Sequence, residues 1–407
     1  MARALIIGGG HAGGSVSVLL RQYGFEGEII LAGSEATAPY QRPPLSKAWL
    51  KGETDLESLL LRPADFYADQ AIDLRTGVTA QAIDAVAKTV TFADGACEAY
   101  DVLILATGST ARKLSIPGAD RSHLIELRSV QDAERLKAAL GPGRKLVVVG
   151  GGYVGLEAAA SARRLGADVV VIERMTRVLQ RVASEPLSAF FTDLHRANGV
   201  KLLADAEVTG FEDDGVRLAD GSIVEADAIL VGVGAFACDA LARTAGLTCE
   251  NGVVVNAFAQ TSDASIYAIG DVTQRPIPAM SGHVMRLESV PNALEQAKQA
   301  ASDITGRPPP VPEVPWFWSD QYDVKLQIAG LPLDVDRQIV RGSPADGRFA
   351  VFHLKNNIIV CVEAVNAAPE FMVGRQLIGR KTIVDPLALA DASTSMKLVT
   401  AQPGVSA

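Results

Sequence analysis

The sequence predicts an α/β fold made of two parallel-sheet units, followed by a smaller α+β region. Three observations carry that expectation. Two G-x-G-x-x-G fingerprints stand 142 residues apart, at Gly8–Gly13 and Gly150–Gly155. Each directly follows an apolar, strand-like run, Ala4-Leu5-Ile6-Ile7 in one case and Leu146-Val147-Val148-Val149 in the other, and each leads into a helical segment. Beyond a proline-rich stretch at Arg307–Pro312 the fingerprints cease and short strand-like segments follow one another.

In the first unit the predicted order is strand, fingerprint, helix (about Gly14 to Tyr23) and second strand (Glu28 to Ala32). Gly8, Gly10 and Gly13 are the glycines that such a turn needs. They allow a tight bend, close backbone approach to a pyrophosphate, and anion binding at the helix N-terminus. An acidic residue after the second strand would accept hydrogen bonds from a ribose, and Glu35 is the candidate, with Ser34 as a polar substitute. Next comes Tyr40-Gln41-Arg42-Pro43-Pro44-Leu45-Ser46-Lys47, where the prolines are expected to rule out a helix starting before Pro44. Its basic residues suit either a cofactor contact or an ordinary charged surface loop. Tyr100–Leu105 then reads as a strand running into Ala106-Thr107-Gly108.

The second unit repeats this order. Gly150, Gly152 and Gly155 form its fingerprint, a helix extends to about Leu165, and a strand at Asp168–Ile172 runs into Glu173. Glu173 lies where a carboxylate can bind the adenosine ribose 2′-OH and repel a 2′-phosphate, which favours NADH over NADPH. Arg174, Arg177 and Arg181 follow closely and could instead accommodate a phosphate. Glu157, expected two residues into the helix, could be a first-turn partner of the helix dipole or face the nicotinamide. Strands ending in glycine recur at Ala228–Gly234 and Ile266–Asp271. Asp271 suits a polyhydroxyl chain such as ribityl, or the N-cap of a following helix. Two fingerprints in these settings imply two Rossmann-like dinucleotide-binding domains, one holding a resident flavin dinucleotide and the other an exchanging nicotinamide dinucleotide.

Composition narrows the function. At 407 residues and 48% hydrophobic content, the chain can bury several cores. A net charge of −9 argues against nucleic acid or an anionic membrane as the main partner. The first strand begins near Ala4, which leaves no room for a signal peptide, and no apolar run reaches a membrane span. Cys97, Cys238, Cys249 and Cys361 form neither C-x-x-C nor C-x-x-x-x-C, so neither a disulfide framework nor a dithiol centre is expected. The expected location is cytoplasmic. His11 and the other histidines read as structural or solvent-exposed, and no metal site is expected.

The ordered set of motifs resembles a known family. It comprises Gly8–Gly13, Pro43-Pro44-Leu45-Ser46-Lys47, Ala106-Thr107-Gly108, Gly150–Glu157, Ala268-Ile269-Gly270-Asp271, Glu288–Ala297 and Trp316–Tyr322. Together these are similar to the FAD-dependent, NADH-linked ferredoxin reductases of the glutathione-reductase-like fold, nearest to the putidaredoxin reductases. The resemblance implies an FAD domain at 1–111 and 241–315, an NAD domain at 112–240, and a C-terminal interface domain at 316–407. It implies that Ala12, Lys47, Ala80, Arg128, Asp271 and Val290 contact FAD, and that Gly152, Gly155, Glu157, Glu173 and Gly234 line the NAD site. There are two departures from the pattern. The acid after the second strand comes one position late, as Ser34-Glu35, and Gly234–Cys238 lacks the usual Pro-Asn after its glycines.

The implied reaction is hydride transfer from NADH to flavin N5, then two single-electron deliveries to a [2Fe–2S] ferredoxin serving a haem-thiolate monooxygenase. Lys47 and Glu157 are expected to meet as an ion pair near N5, one supplied by each glycine-marked unit. Trp318 is placed at the flavin edge facing the partner, or is an ordinary core tryptophan. Rubredoxin, an aromatic-ring dioxygenase ferredoxin and monodehydroascorbate are the alternative acceptors. A flavoprotein devoted to binding nucleic acid conflicts with the charge. The expected assembly is a monomer or weak dimer. Residues 316–407 hold nine basic and nine acidic side chains, so an acidic ferredoxin needs a local basic patch, with Arg286, Arg307, Lys325 and Arg337 as candidates.

Overall fold

The computed structural model describes residues 2–401; Met1 and 402–407, the end of the expected C-terminal domain, lie outside the described residues. By backbone contacts the chain divides into two compact units. One comprises Met1–Gln41, Asp55–Thr110 and Ala235–Pro315; the other comprises Arg42–Thr54, Ala111–Gly234 and Trp316–Ala407.

The first unit is built on five parallel strands in the order Ile266–Ala268, Val102–Leu105, Arg3–Ile7, Glu28–Gly33, Ile72–Thr76. Parallel strands covered on both faces must be apolar throughout, and Ala4, Leu5, Ile6 and Ile7 are all buried. On one face, helix His11–Gln22 packs against helix Val290–Ile304. Ala12, Ala293, Ala297 and Ala301, all small and buried there, let the two backbones approach closely. On the other face lies an antiparallel meander, Ala80–Asp84, Thr89–Phe92 and Cys97–Ala99, whose Ile83, Val90 and Phe92 share a core with Leu5, Ile7 and Leu103. The first helix starts at His11, earlier than Gly14, because the fingerprint itself winds the first turn.

The second unit repeats the plan. Its parallel order is Lys201–Leu203, Asp168–Ile172, Lys145–Val149, Ala228–Val231, Leu124–Ile125. Val208–Glu212, Gly215–Leu218 and Ile223–Glu225 form the matching meander. Helices Val130–Ala139, Tyr153–Arg164 and Glu185–Ala197 accompany the sheet. The segment around Pro43–Ser46 belongs to this unit and forms a 3₁₀ turn beginning at Pro43, one residue before the expected limit. Proline suits that first helical position, since its missing N–H would be unpaired there anyway.

The C-terminal part adds a five-stranded antiparallel sheet in the order Trp316–Gln321, Val324–Gly330, Ile358–Val365, Arg348–Lys355, Arg337–Ser343, with helix Ala368–Arg380 against it. Its Leu326, Ile328, Phe349 and Val351 join Leu146, Val148, Leu156 and Phe191 in one core. Full burial of each such side chain contributes about 1.5–3 kcal/mol. A polar tie reinforces the junction: the buried Glu363 carboxylate accepts from the Ser184 N–H (2.9 Å) and from the Ser184 hydroxyl, at the N-cap of helix Glu185–Ala197.

Candidate functional site: two glycine cradles and a buried ion pair

The first fingerprint forms a cradle that only glycine permits. Gly8 has φ +120°, and a Cβ there would stand 2.2 Å from the Ala106 carbonyl oxygen. A Cβ at Gly13 would stand 1.9 Å from the carbonyl oxygen of Gly8. Helix His11–Gln22 begins at Gly10 with no side-chain cap and no acidic residue in its first turn. Its leading N–H groups are therefore presented to an anion, as a pyrophosphate requires. Ala12 is buried in the same turn.

Glu35 follows the second strand as expected, and its carboxylate accepts a hydrogen bond from the hydroxyl of buried Tyr40. Asp271 lies in the 3₁₀ turn Gly270–Val272, half-buried, where it accepts from Ser109 Oγ (3.2 Å). It does not act as a side-chain helix cap. Ala80 opens its meander strand, and Val290 is the first residue of a helix capped by Ser289. One group here was not anticipated. Gln296 is fully buried, and its Oε1 accepts from Gly270 N–H (2.8 Å) and Thr273 Oγ1 (2.9 Å). Its Nε2 finds no acceptor among the described residues. An orphaned amide donor beside Gly270–Asp271 fits an acceptor-rich ligand such as FAD, because a buried unpaired donor otherwise costs about 1–3 kcal/mol.

The second cradle obeys the same steric rule. Gly150 has φ +107°, and its Cβ would lie 2.4 Å from the Gly232 oxygen; that of Gly155 would lie 2.5 Å from the Gly150 oxygen. At Gly152, by contrast, a Cβ would meet nothing within 4 Å, so this position borders open space where a nucleotide can lie. Gly152 starts helix Tyr153–Arg164, again with no side-chain cap and no first-turn acid. Glu157 lies past that first turn, which removes its reading as a first-turn dipole partner. Glu173 accepts from Gly151 N–H through Oε2 and from Met175 N–H through Oε1, both at 2.8 Å. Its carboxylate is thus fixed at the fingerprint. Gly234 has φ +114°, and its oxygen accepts from Arg112 N–H (2.9 Å). Among the three arginines after Glu173, Arg177 is committed to the carbonyls of Gln180, Ala183 and Ser184.

Lys47 and Glu157 do meet, Nζ to Oε2 at 2.7 Å. They do not come one from each glycine-marked unit: the Lys47 segment packs with the second unit, so both lie within it, and Glu157 is only 5% exposed. Burying a carboxylate requires several donors, and Glu157 has three. The Ser46 hydroxyl reaches Oε2 (2.6 Å) alongside Lys47, and the Ser319 hydroxyl reaches Oε1 (2.6 Å). Lys47 also donates to the Pro43 carbonyl (3.2 Å), and Ser161 Oγ to the Ser46 carbonyl (2.7 Å). Ser46 and Ser319 each lie inside one of the motifs, Pro43–Lys47 and Trp316–Tyr322, but nothing in either motif points to a bond with Glu157. The backbone of Arg128 accepts from Arg42 (2.6 Å) and donates to Asp132 (3.2 Å), just before helix Val130–Ala139.

Trp318 is half-buried on strand Trp316–Gln321, its ring centroid 5.6 Å from that of Trp316. Of the basic candidates, Arg286 drops out: its side chain is 11% exposed and pairs with Glu288. Arg307 lies over the Tyr23 ring, 4.8 Å from the centroid. Lys325 and Arg337 are exposed. No disulfide joins any of the four cysteines, and no metal-holding cluster occurs among the described residues. No helix among them is long and apolar enough to cross a membrane.

Residues 2–297 match the pyridine nucleotide-disulphide oxidoreductase family, and residues 316–400 match the reductase C-terminal family. The chain is 48% identical to a probable ferredoxin reductase of Castellaniella defragrans, over 96% of each chain. It is 43% identical to the ferredoxin reductase subunit of the 5,5′-dehydrodivanillate O-demethylase of Sphingobium, over 98% of each. Among solved structures, the covalent putidaredoxin reductase–putidaredoxin complex matches with a TM-score of 0.95 and 39% identity, over 98% of each chain. The chain therefore belongs to the pyridine nucleotide-disulphide oxidoreductase family, as a ferredoxin reductase that binds FAD and a nicotinamide dinucleotide.

Proposed function

We propose that this reductase takes electrons from NADH and delivers them to a [2Fe–2S] ferredoxin that serves a haem-thiolate monooxygenase. The observation that carries the reading is the pair of glycine cradles, each ending on an uncapped helix N-terminus. The partner class rests on the solved complex with putidaredoxin. When bound, FAD supplies the exchange between a two-electron donor and a one-electron acceptor. The protein holds and tunes it. Gly8, Gly10, Ala12 and Gly13 receive the pyrophosphate, Glu35 faces the ribose, and Asp271, with Ala80, Arg128 and Val290, holds the rest of the cofactor. Gly150, Gly152, Gly155 and Gly234 shape the nicotinamide nucleotide site. Glu173 excludes NADPH by like charge. Lys47, oriented by Glu157, offers a cation to negative charge developing at the ring, and Trp318 lies on the path to the partner. A cytoplasmic location agrees with four cysteines scattered along the chain without C-x-x-C or C-x-x-x-x-C spacing.

The O-demethylase relative supports a second reading, in which the ferredoxin feeds a different oxygenase. Purified holoenzyme, NADH and a panel of acceptors separate the two: [2Fe–2S] ferredoxins of monooxygenase systems, those of dioxygenase or demethylase systems, and rubredoxin. A higher kcat/KM with any class other than the first overturns the proposal. Docking through Arg307, Lys325 and Arg337 predicts that ferredoxin reduction slows as salt rises past about 0.1 M, while ferricyanide reduction changes little.

A further inference from the structure

Strand Trp316–Gln321 has two unlike faces. Trp316 and Trp318 stand on one. Phe317, Ser319 and Gln321 alternate onto the other, where Phe317 meets the Tyr153 ring edge-on at 5.0 Å. Ser319 and Gln321 are each 1% exposed. From this inner face runs an unbroken polar chain. Ser319 Oγ is 2.6 Å from Glu157 Oε1 and 3.2 Å from Gln321 Nε2. Gln321 Oε1 is 2.8 Å from His195 Nε2, and the Tyr322 hydroxyl is 3.3 Å from His195 Nδ1.

Every donor in this chain is fixed by the group before it. The carboxylate of Glu157 only accepts, so Ser319 donates to it. Ser319 must then accept from Gln321, which turns the amide nitrogen toward the serine and the oxygen toward His195. The imidazole therefore carries its proton on Nε2, and Nδ1 accepts from Tyr322. Burial holds the His195 pKa below its ordinary value and keeps the ring in this neutral form. The chain ends on Glu157 and, through its other oxygen, on Lys47.

We propose that Ser319 is a positioning residue for flavin reduction, fixing the Glu157 carboxylate so that Oε2 is held for Lys47. Gln321 and His195 hold Ser319 in turn. The inference rests on the reading of Lys47 and Glu157 as residues acting at the flavin. A purely structural Ser319 would influence stability alone; a positioning Ser319 influences the chemical step, and only through Glu157.

The test is rapid-mixing flavin reduction of the holoenzyme by NADH. Ser319→Ala should reduce the limiting rate about tenfold, the scale of one hydrogen bond to a charged group, with NADH affinity changed less than about twofold. Ser319→Thr, which keeps the hydroxyl, should restore most of the rate. In a Glu157→Gln background, Ser319→Ala should add nothing, since coupled residues are not additive. An apoprotein readout is independent of turnover: Lys47 should be acetylated faster by acetic anhydride in Ser319→Ala than in the parent. An unchanged limiting rate in Ser319→Ala, or a fully additive loss with Glu157→Gln, overturns the proposal. A parental rate in Glu157→Gln overturns the reading of Glu157 instead. Should Ser319→Ala not fold, Gln321→Met removes the amide that orients the serine and should show the same pattern at about threefold.

Discussion

The two fingerprint units are near copies in their turns and differ in what comes after the second strand. Gly8 and Gly150 both take a positive φ, +120° and +107°, and a side chain at either would drive into a backbone carbonyl, of Ala106 in one unit and Gly232 in the other. The acids diverge. Glu173 directly follows strand Asp168–Ile172, and both of its oxygens are held by backbone N–H groups, one from the fingerprint itself. Glu35 lies two residues beyond strand Glu28–Gly33 and is tied to a side chain, the Tyr40 hydroxyl. Close packing dictates the turn and leaves it no freedom, whereas nucleotide choice is left to a short segment that can change without disturbing the sheet.

The strongest way to break this comparison is to fill a cradle. Gly8→Ala and Gly150→Ala each introduce strain and overlap of about 3 kcal/mol or more. Gly8→Ala should yield protein largely lacking FAD, read by its visible absorbance. Gly150→Ala should keep FAD and remain reducible by dithionite while losing reduction by NADH. Loss of FAD from both variants would show that the cradles do not divide the nucleotides.

A smaller effect is expected at the acids. Glu173→Ala should narrow the NADH over NADPH preference by about 10- to 100-fold in kcat/KM, the scale of a charge-assisted contact plus a removed repulsion. Glu35→Ala should leave that preference untouched. Equal kcat/KM for the two nucleotides in the parent would defeat the role of Glu173. Smaller still, Tyr40→Phe should weaken FAD retention by about 1 kcal/mol, the net value of one hydrogen bond, with no change in nicotinamide affinity. Titration of apoprotein with FAD measures it.

Histidine burial gives the smallest contrast. The second unit buries His195 completely, whereas His11 and His283 of the first are not buried. Because burial lowers the His195 pKa, the unfolded chain binds a proton below pH 6.5 that the folded chain refuses. Stability of the second unit should therefore fall as pH drops below about 6.5, by at most about 1.4 kcal/mol per pH unit from this group. Hydrogen exchange followed separately in the two units measures this, and His195→Gln should flatten that component. An identical pH slope in the mutant would assign the effect elsewhere.

The sequence by itself determined the two strand–turn–helix cradles, because an apolar run, a glycine at a crowded turn and a helix start are decided by neighbours along the chain. It also marked Glu35 and Glu173 by their distance from a fingerprint, and the motif resemblance brought Lys47 and Glu157 forward. Tertiary structure alone decided how Glu157 is satisfied. Ser319 is 162 residues from it and Lys47 is 110, and His195 is 126 residues from Gln321. It also removed Arg286 from the basic candidates by burying and pairing it. The physical reason is the difference between the two kinds of constraint. Backbone sterics act over a few residues and leave a pattern in the chain, whereas a buried carboxylate can be satisfied by any donor that the fold brings within about 3 Å, and no local sequence pattern specifies which one arrives.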